Sequence, residues 1–365
     1  MSHDPRFMML ALALGRRGLG WTWPNPAVGC VIVQHGQVVG RGWTQPGGRP
    51  HAETEALAQA GSAARGADVY VTLEPCSHVG KTPPCAQALI DAGVARVVVA
   101  TADPDPRVSG RGLDMLRTAG IEVVTGVCEA EARRANAGFF ARLELGRPFV
   151  TLKLASSFDG RIATGTGESQ WITGPQARRV GHALRASHDA VMVGGGTARK
   201  DDPSLTVRGL GTDWQPSRVV ISRRLDVPLL STLAKTASEI PVILCHGHDA
   251  DPTLVSTWTD LGATLLPCRT AGVQLDPVDV LRQLAGHGIT RVFCEGGGAL
   301  AASLLDGDLV DELVGFTAGL AIGAEGLPAI SALGLGALRE APRFDLVECK
   351  AVGPDTMHVW RRPVS

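Results

Sequence analysis

Short β-branched runs bounded by turn residues alternate along this chain with stretches in which apolar positions recur every three or four residues. Phe7–Leu14 reads as an amphipathic first helix. Cys30–Val33 reads as a strand, with Val38–Trp43 as its partner and Gly36 in the connecting turn. The spacing predicts a helix over His51–Ala60 ending before Gly61, a strand over Asp68–Leu73, a helix over Cys85–Ala92 closed by Gly93, and a strand over Val94–Ala100. A turn-rich loop, Asp103 through Gly112, follows that strand end, where α/β sheets bind ligands. Another helix precedes the strand Ile121–Val127, and Glu129–Leu145 reads as one helix.

Gly146-Arg147-Pro148 breaks the pattern, so the domain boundary is expected there, with domains 1–146 and 147–365. The second half restarts with a strand, Phe149–Leu154. Thr173 is the expected N-cap of a helix running from Pro175 to about Ala186. Ala190–Val193, Arg218–Ile221, Val242–Cys245, Ala263–Leu266 and Thr290–Cys294 are predicted strands, and Ala299–Leu305 a helix. Two of these strands end in glycine runs, Gly194-Gly195-Gly196 and Gly296-Gly297-Gly298. Bare backbone N–H groups at such joints can meet anionic oxygens, though neither run has the dinucleotide-fold spacing. Alternating strands and helices predict an α/β protein.

Composition narrows the picture. At 365 residues the chain suits about two cores, and 44% hydrophobic residues can fill both. A formal net charge of -1 gives no reason to expect a nucleic-acid partner. Eight cysteines without a small-scaffold spacing argue for a reducing compartment, so the protein is expected in the cytoplasm. Phe7–Leu14 is too short to span a bilayer, and no membrane partner is expected.

The chemistry concentrates between His51 and Cys85. His51, Cys76 and Cys85 are one imidazole and two thiolates, the donors zinc takes, and a catalytic zinc keeps a fourth position for water. Glu53 is close enough in sequence to His51 to take a proton from that water without ligating the metal. The set resembles the His-x-Glu, Pro-Cys-x-x-Cys signature of zinc nucleobase deaminases. It departs in one respect: eight residues separate Cys76 from Cys85. The other six cysteines are most simply buried free thiols. Cys245-His246-Gly247-His248 lacks a carboxylate-rich neighbourhood and is not assigned a metal.

Further motifs resemble one family over nearly the whole chain: the bifunctional riboflavin-biosynthesis deaminase–reductase. They are Asn25-Pro26-Ala27-Val28-Gly29, His51-Ala52-Glu53, and Thr72 through His78 with Thr82-Pro83-Pro84-Cys85. In the second half they are Lys153 through Gly160, Gly167 through Thr173, Leu184-Arg185-Ala186 and Asp201 through Arg208. The long insert between the cysteines is a feature of that family.

The resemblance implies a cytidine-deaminase-like three-layer α/β/α domain followed by a dihydrofolate-reductase-like α/β domain. It implies zinc-dependent deamination of a phosphoribosylated diaminopyrimidinone, then NADPH-dependent reduction of its ribose to ribitol. Zinc would sit on His51, Cys76 and Cys85, with Glu53 as the proton carrier and the Ala52 amide toward the oxyanion. Asn25, His78 and Lys81 would contact the deaminase substrate. Ala155, Trp171, Thr197, Asp201 and Ser222 match cofactor positions, and Gly297, Gly298, Ala299, Leu300, Ala301, Ala302 and Ser303 would cradle the pyrophosphate. Arg223 and Arg224 beside Ser222 suit a 2′-phosphate. Lys153, Ser169, Arg185, Leu205, Arg208 and Glu295 match substrate positions. A homo-oligomer acting on phosphorylated pyrimidines is expected. Two alternatives stay open at this point: a nucleobase or tRNA deaminase with an appended domain, and a C-terminal nucleotide-sensing module without activity.

Overall fold

The computed structural model describes residues 4–77, 83–105 and 109–363. It divides into two units, Met1–Gly146 and Arg147–Ser365. The first contains α1 Pro5–Gly15, β1 Gly29–Gln34, β2 Gln37–Trp43, α2 Ala52–Ala60, β3 Asp68–Val71 and α3 Cys85–Ala92. It continues through β4 Arg96–Val99, α4 Arg111–Thr118, β5 Glu122–Thr125, α5 Glu129–Ala135 and α6 Ala137–Glu144.

Five strands form one sheet in the order β2-β1-β3-β4-β5. The strand β1 is antiparallel to β2 and β3, whereas β3, β4 and β5 run parallel. Successive side chains point to opposite faces, and both faces are buried. Ile32, Val69, Val71, Val97 and Val99 meet Ala52, Ala56, Leu89 and Leu116 on one side. Val31, Val33, Tyr70 and Val98 meet Met8, Leu12 and Ala132 on the other. The result is the three-layer α/β/α arrangement expected.

Glu129–Leu145 is not one helix. It is interrupted at Asn136 (φ −103°, ψ 23°), between α5 and α6. The Asn136 side chain is committed elsewhere: its oxygen accepts the Ala27 N–H at 2.8 Å and its amide donates to the Ala27 carbonyl at 3.2 Å. Competition of this kind is why Asn interrupts helices. Here it anchors the segment that carries Asn25.

The second unit contains β6 Phe149–Ser157, β7 Arg161–Ala163, α7 Pro175–Ala186, β8 Ala190–Gly194, α8 Gly195–Asp201 and β9 Ser217–Ile221. Next come α9 Thr232–Lys235, β10 Val242–Gly247, α10 Pro252–Asp260, β11 Thr264–Cys268, β12 Thr270–Ala271, β13 Gln274–Leu275 and α11 Pro277–Gly286. It ends with β14 Arg291–Cys294, α12 Gly298–Asp306, β15 Glu312–Ala318, β16 Leu327–Pro328, β17 Asp345–Val352 and β18 Asp355–Arg361. Nine strands form its main sheet, in the order β11-β10-β9-β8-β14-β6-β15-β18-β17. Strands from β11 to β15 are parallel; β18 and β17 add antiparallel pairs at one edge. Its buried core includes Val191, Val220, Leu244, Trp258 and Phe293.

Thr173 does not cap α7. The N-cap residue is Gly174, whose N–H donates to the Asp355 carboxylate at 2.7 Å, a partner from the distant strand β18 that local sequence cannot reveal. The six remaining cysteines are free, but Cys349 is exposed on β17 and Cys128 is half-buried, so only four of the six are buried thiols.

Candidate functional site

In the first unit, three elements bring together His51, Cys76 and Cys85. His51 is the N-cap residue of α2, Cys76 follows β3, and Cys85 is the first residue of α3. His51 Nδ1 lies 3.2 Å from Cys85 Sγ and 3.6 Å from Cys76 Sγ. The three ligand atoms all fall within 4.8 Å of one another. Tetrahedral zinc with ordinary bond lengths sets S···N edges of about 3.6 Å, so the donor set fits that ion. Among the described residues no other group of three such ligands occurs, His246 and His248 included. The Cys85 N–H donates to Cys76 Sγ at 3.3 Å, a helix-start amide holding a thiolate. The Cys76 thiol is pulled down to about 4, first by the Cys85 side chain donating to it and then by His51, against burial. Cys85, which keeps that proton, is pushed up.

Glu53, the second residue of α2, is 4% exposed, and burial pushes its carboxyl up to about 7. A cavity of about 320 Å³ opens onto it. Asn25, Arg49, His51, Glu53, Glu74, Cys76, Asp103, Asp105 and Arg142 contribute to its walls. Burial also pushes Asp103 up to about 6. His78 and Lys81 lie outside the described residues.

In the second unit, parallel strands β9, β8 and β14 lie side by side, so their C-terminal ends bring three joints together. A side chain at Gly195 would meet Ser222 at 3.2 Å, and one at Gly297 would approach Thr197 Oγ1 at 3.6 Å. Gly297 is the N-cap residue of α12 and no side chain caps it. The amides of Gly298, Ala299 and Leu300 therefore have no in-helix acceptor. The Ala301 N–H already donates to the Gly297 carbonyl at 3.1 Å, and Ala301 and Ala302 bury their side chains. The anion-facing part of the Gly297–Ser303 stretch is thus its first turn; Ser303 sits a turn further on.

Ser222 donates to Asp226 at 2.6 Å, and Asp226 is paired with Arg199 at 2.6 Å. Arg223 is not free: it pairs with Asp249 at 2.6 Å. Arg224 is exposed.

A second cavity, of about 250 Å³, brings together Lys153, Trp171, Arg185, Arg208 and Glu295. Glu295 lies 2.5 Å from Arg185 and 3.6 Å from Lys153. Burial opposes its charge, but these two cations hold its carboxyl below the usual range. Ser169 does not line this cavity, and Leu205 turns its side chain into the core, leaving only backbone to offer a ligand. Ala155 lies on β6 and Asp201 is exposed at the end of α8.

The chain matches the cytidine and deoxycytidylate deaminase zinc-binding region over residues 1–101 and the RibD C-terminal domain over residues 148–358. It is 43% identical to the riboflavin biosynthesis protein RibD of Escherichia coli, over 97% of this chain and 98% of that one. It is 41% identical to that of Aquifex aeolicus, over 98% of each chain. The solved structure of Acinetobacter baumannii RibD superposes with a TM-score of 0.88 at 38% identity, covering 99% of both chains. The solved Thermotoga maritima diaminohydroxyphosphoribosylaminopyrimidine deaminase/5-amino-6-(5-phosphoribosylamino)uracil reductase superposes with a TM-score of 0.86 at 34% identity, covering 98% of both.

The chain belongs to the RibD family.

As a RibD-family protein it is a bifunctional enzyme of riboflavin biosynthesis, a zinc-dependent deaminase and an NADPH-using reductase. This removes both alternatives left open by the sequence. Four basic residues that line these cavities escaped sequence reading. Arg49 and Arg142 line the first; Arg178 and His182 line the second. Arg178, His182 and Arg185 fall at i, i+4 and i+7 on α7, one helical face, and that spacing was the available signal. Arg49 and Arg142 carry no comparable signal.

Proposed function

We propose that Met1–Gly146 carries the deaminase and Arg147–Ser365 the reductase. On this reading the first substrate is 2,5-diamino-6-(5-phosphoribosylamino)pyrimidin-4-one. The second is 5-amino-6-(5-phosphoribosylamino)uracil, whose ribosyl group becomes ribityl. The observation that carries the reading is a buried carboxylate, Glu53, in one cavity with His51 and Cys76, while Cys85 closes the ligand set.

Zinc, when bound by His51, Cys76 and Cys85, supplies an acidified water. Glu53 would carry two protons in turn: one from the attacking water to the pyrimidine ring nitrogen, and then the one left on the added hydroxyl to the amine, which departs as ammonia while the carbonyl forms. The Ala52 amide faces the developing oxyanion and Asn25 hydrogen-bonds the ring.

In the second unit NADPH supplies the hydride. The first turn of α12 holds its pyrophosphate; Ala155, Trp171, Thr197 and Asp201 contact it, and Ser222 and Arg224 meet its 2′-phosphate. Glu295, fixed between Arg185 and Lys153, receives a substrate hydroxyl or amine. Arg185 already donates to Glu295 and to the Thr206 carbonyl at 2.7 Å, so exposed Arg208 takes the larger share of the substrate phosphate.

The reading extends to a cytoplasmic homo-oligomer with no nucleic-acid or membrane partner. A net charge of -1, eight cysteines with no disulfide among them, and exposed Leu346 and Val347 on edge strand β17 support it. Among the described residues no helix is long and apolar enough to cross a membrane.

Glu53→Gln tests the first site. It should lower ammonia release by at least about a hundredfold while zinc stays bound. NADPH consumption with the deaminated substrate should persist. Retained ammonia release would refute the role of Glu53.

A further inference from the structure

Glu74 stands two residues before Cys76 and is 3% exposed. Its carboxylate is spent on backbone amides of a single distant segment. Oε2 accepts the N–H of Gly110 at 3.0 Å and of Asp103 at 3.4 Å, and Oε1 accepts the N–H of Gly112 at 3.0 Å. The Glu74 N–H donates in turn to the Thr101 carbonyl at 3.0 Å. The same segment also docks sterically. A Cβ added to Gly112 would lie 2.0 Å from the Pro75 carbonyl oxygen, so only glycine allows this approach.

This clamp joins two things that the chemistry needs in register. One end is the peptide leading into Cys76. The other bears Asp103 and Asp105, which line the cavity beside Glu53 and Asn25. Helix capping explains the bonds to Gly110 and Gly112 at the start of α4, but not the third bond, to Asp103 in the cavity wall. We propose that Glu74 is a positioning residue for the deaminase: it holds the Asp103–Asp105 wall against the Cys76 loop, so that this wall stays in place to bind the substrate. The proposal rests on the assignment of this cavity to the diaminopyrimidine substrate.

The test uses the full chain, loaded with zinc. Glu74→Gln keeps the shape but turns an amide N–H₂ toward backbone donors. It should raise the deaminase KM roughly tenfold, the effect of losing one hydrogen bond to a charged acceptor. Zinc stoichiometry, deaminase kcat within a few-fold, and both reductase constants should hold. Gly112→Ala attacks the same contact from the opposite side and should reproduce the KM rise. The double variant should fall short of the product of the two single effects, because both release one wall.

A wild-type KM in Glu74→Gln with zinc intact would overturn the proposal and leave Glu74 a helix cap. Zinc loss in step with activity would also overturn it, because Glu74 would then serve only the ligand. If Glu74→Gln fails to fold, Gly112→Ala decides: a raised KM supports the proposal and an unchanged one overturns it. A wild-type enzyme that releases no ammonia from the diaminopyrimidine would instead refute the substrate assignment itself, separately from Glu74.

Discussion

His188 is a buried base whose protonation opposes folding. It is 1% exposed, beside Phe293 with ring centroids 5.2 Å apart. Nδ1 lies 2.7 Å from the Leu184 carbonyl and Nε2 lies 2.9 Å from Thr151 Oγ1. A carbonyl only accepts, so the neutral ring carries its proton on Nδ1 and accepts the Thr151 hydroxyl at Nε2. Burial, reinforced by Arg291, lowers its pKa to about 3. The folded value lies below the unfolded value of about 6.5, so the unfolded chain protonates first. Stability is complete above that pH and falls as pH drops toward 3, by about 2 kcal/mol between pH 7 and pH 5. Denaturant midpoints of the second unit at the two pH values check this. His188→Gln should be less stable at pH 7 yet flatter between the two; an unchanged difference would clear His188. At this scale the His51, Cys76 and Cys85 cluster and its neighbour Glu53 were legible because their chemistry is written in short spacings. Arg49 was not, since only the folding of its loop brings it to the cavity.

Among elements, the segment after β15 shows how a loop is made rigid without secondary structure. Asp159 accepts the Ser157 hydroxyl at 2.5 Å and the Gly323 N–H at 2.7 Å, with both oxygens 3.2 Å from the Ile322 N–H. These bonds, Ser157 first, pull its carboxyl down to about 2, so it is ionised at any working pH. Further along, the Ala329 N–H donates to the Gly160 carbonyl at 2.9 Å and the Ser331 N–H to the Gly298 carbonyl at 3.0 Å. A Cβ on Gly298 would reach the Pro328 carbonyl at 2.7 Å. The segment therefore braces the first turn of α12, the proposed pyrophosphate cradle. Asp159→Ala should raise the KM for NADPH roughly five- to tenfold, more than the KM for the reductase substrate, and leave deamination unchanged. Equal effects on both reductase KM values would argue for general loosening instead. The SSFDG sequence announced a turn, but not that its carboxylate reaches across some 160 residues. The same non-locality hid β15, β17 and β18. Seven of the eight residues of β17 are exposed, so burial imposes little alternation on its sequence, and its pairing with β18 supplies the order. By contrast, β1, β3 and β4 are buried on both faces and stand out as apolar runs.

For the molecule as a whole, the question is whether one chain is needed for two chemistries. Each unit has its own buried core and its own cavity. The place to divide them is set by Arg147. Its guanidinium binds Asp311 in a two-pronged pair at 2.6 and 2.8 Å, and Asp311 also accepts the Val150 N–H at 2.8 Å. Both side chains are about 15% exposed or less, so the pair is largely removed from water. Arg147 thus belongs to the second unit, while Gly146, at φ +67°, is the last residue of the first. Residues 1–146 and 147–365, made separately, should each fold and keep one activity: ammonia release with zinc for the first, NADPH oxidation with the deaminated product for the second. Beginning the second fragment at Pro148 should cost about 1–3 kcal/mol, because Asp311 loses its charged partner. Its thermal midpoint should drop by several degrees relative to 147–365. Mixing the two fragments then isolates the value of the covalent link. If overall conversion matches the intact chain at equal site concentrations, diffusion between sites suffices. A slower mixture with undiminished single activities would mean that the link itself aids transfer of the intermediate.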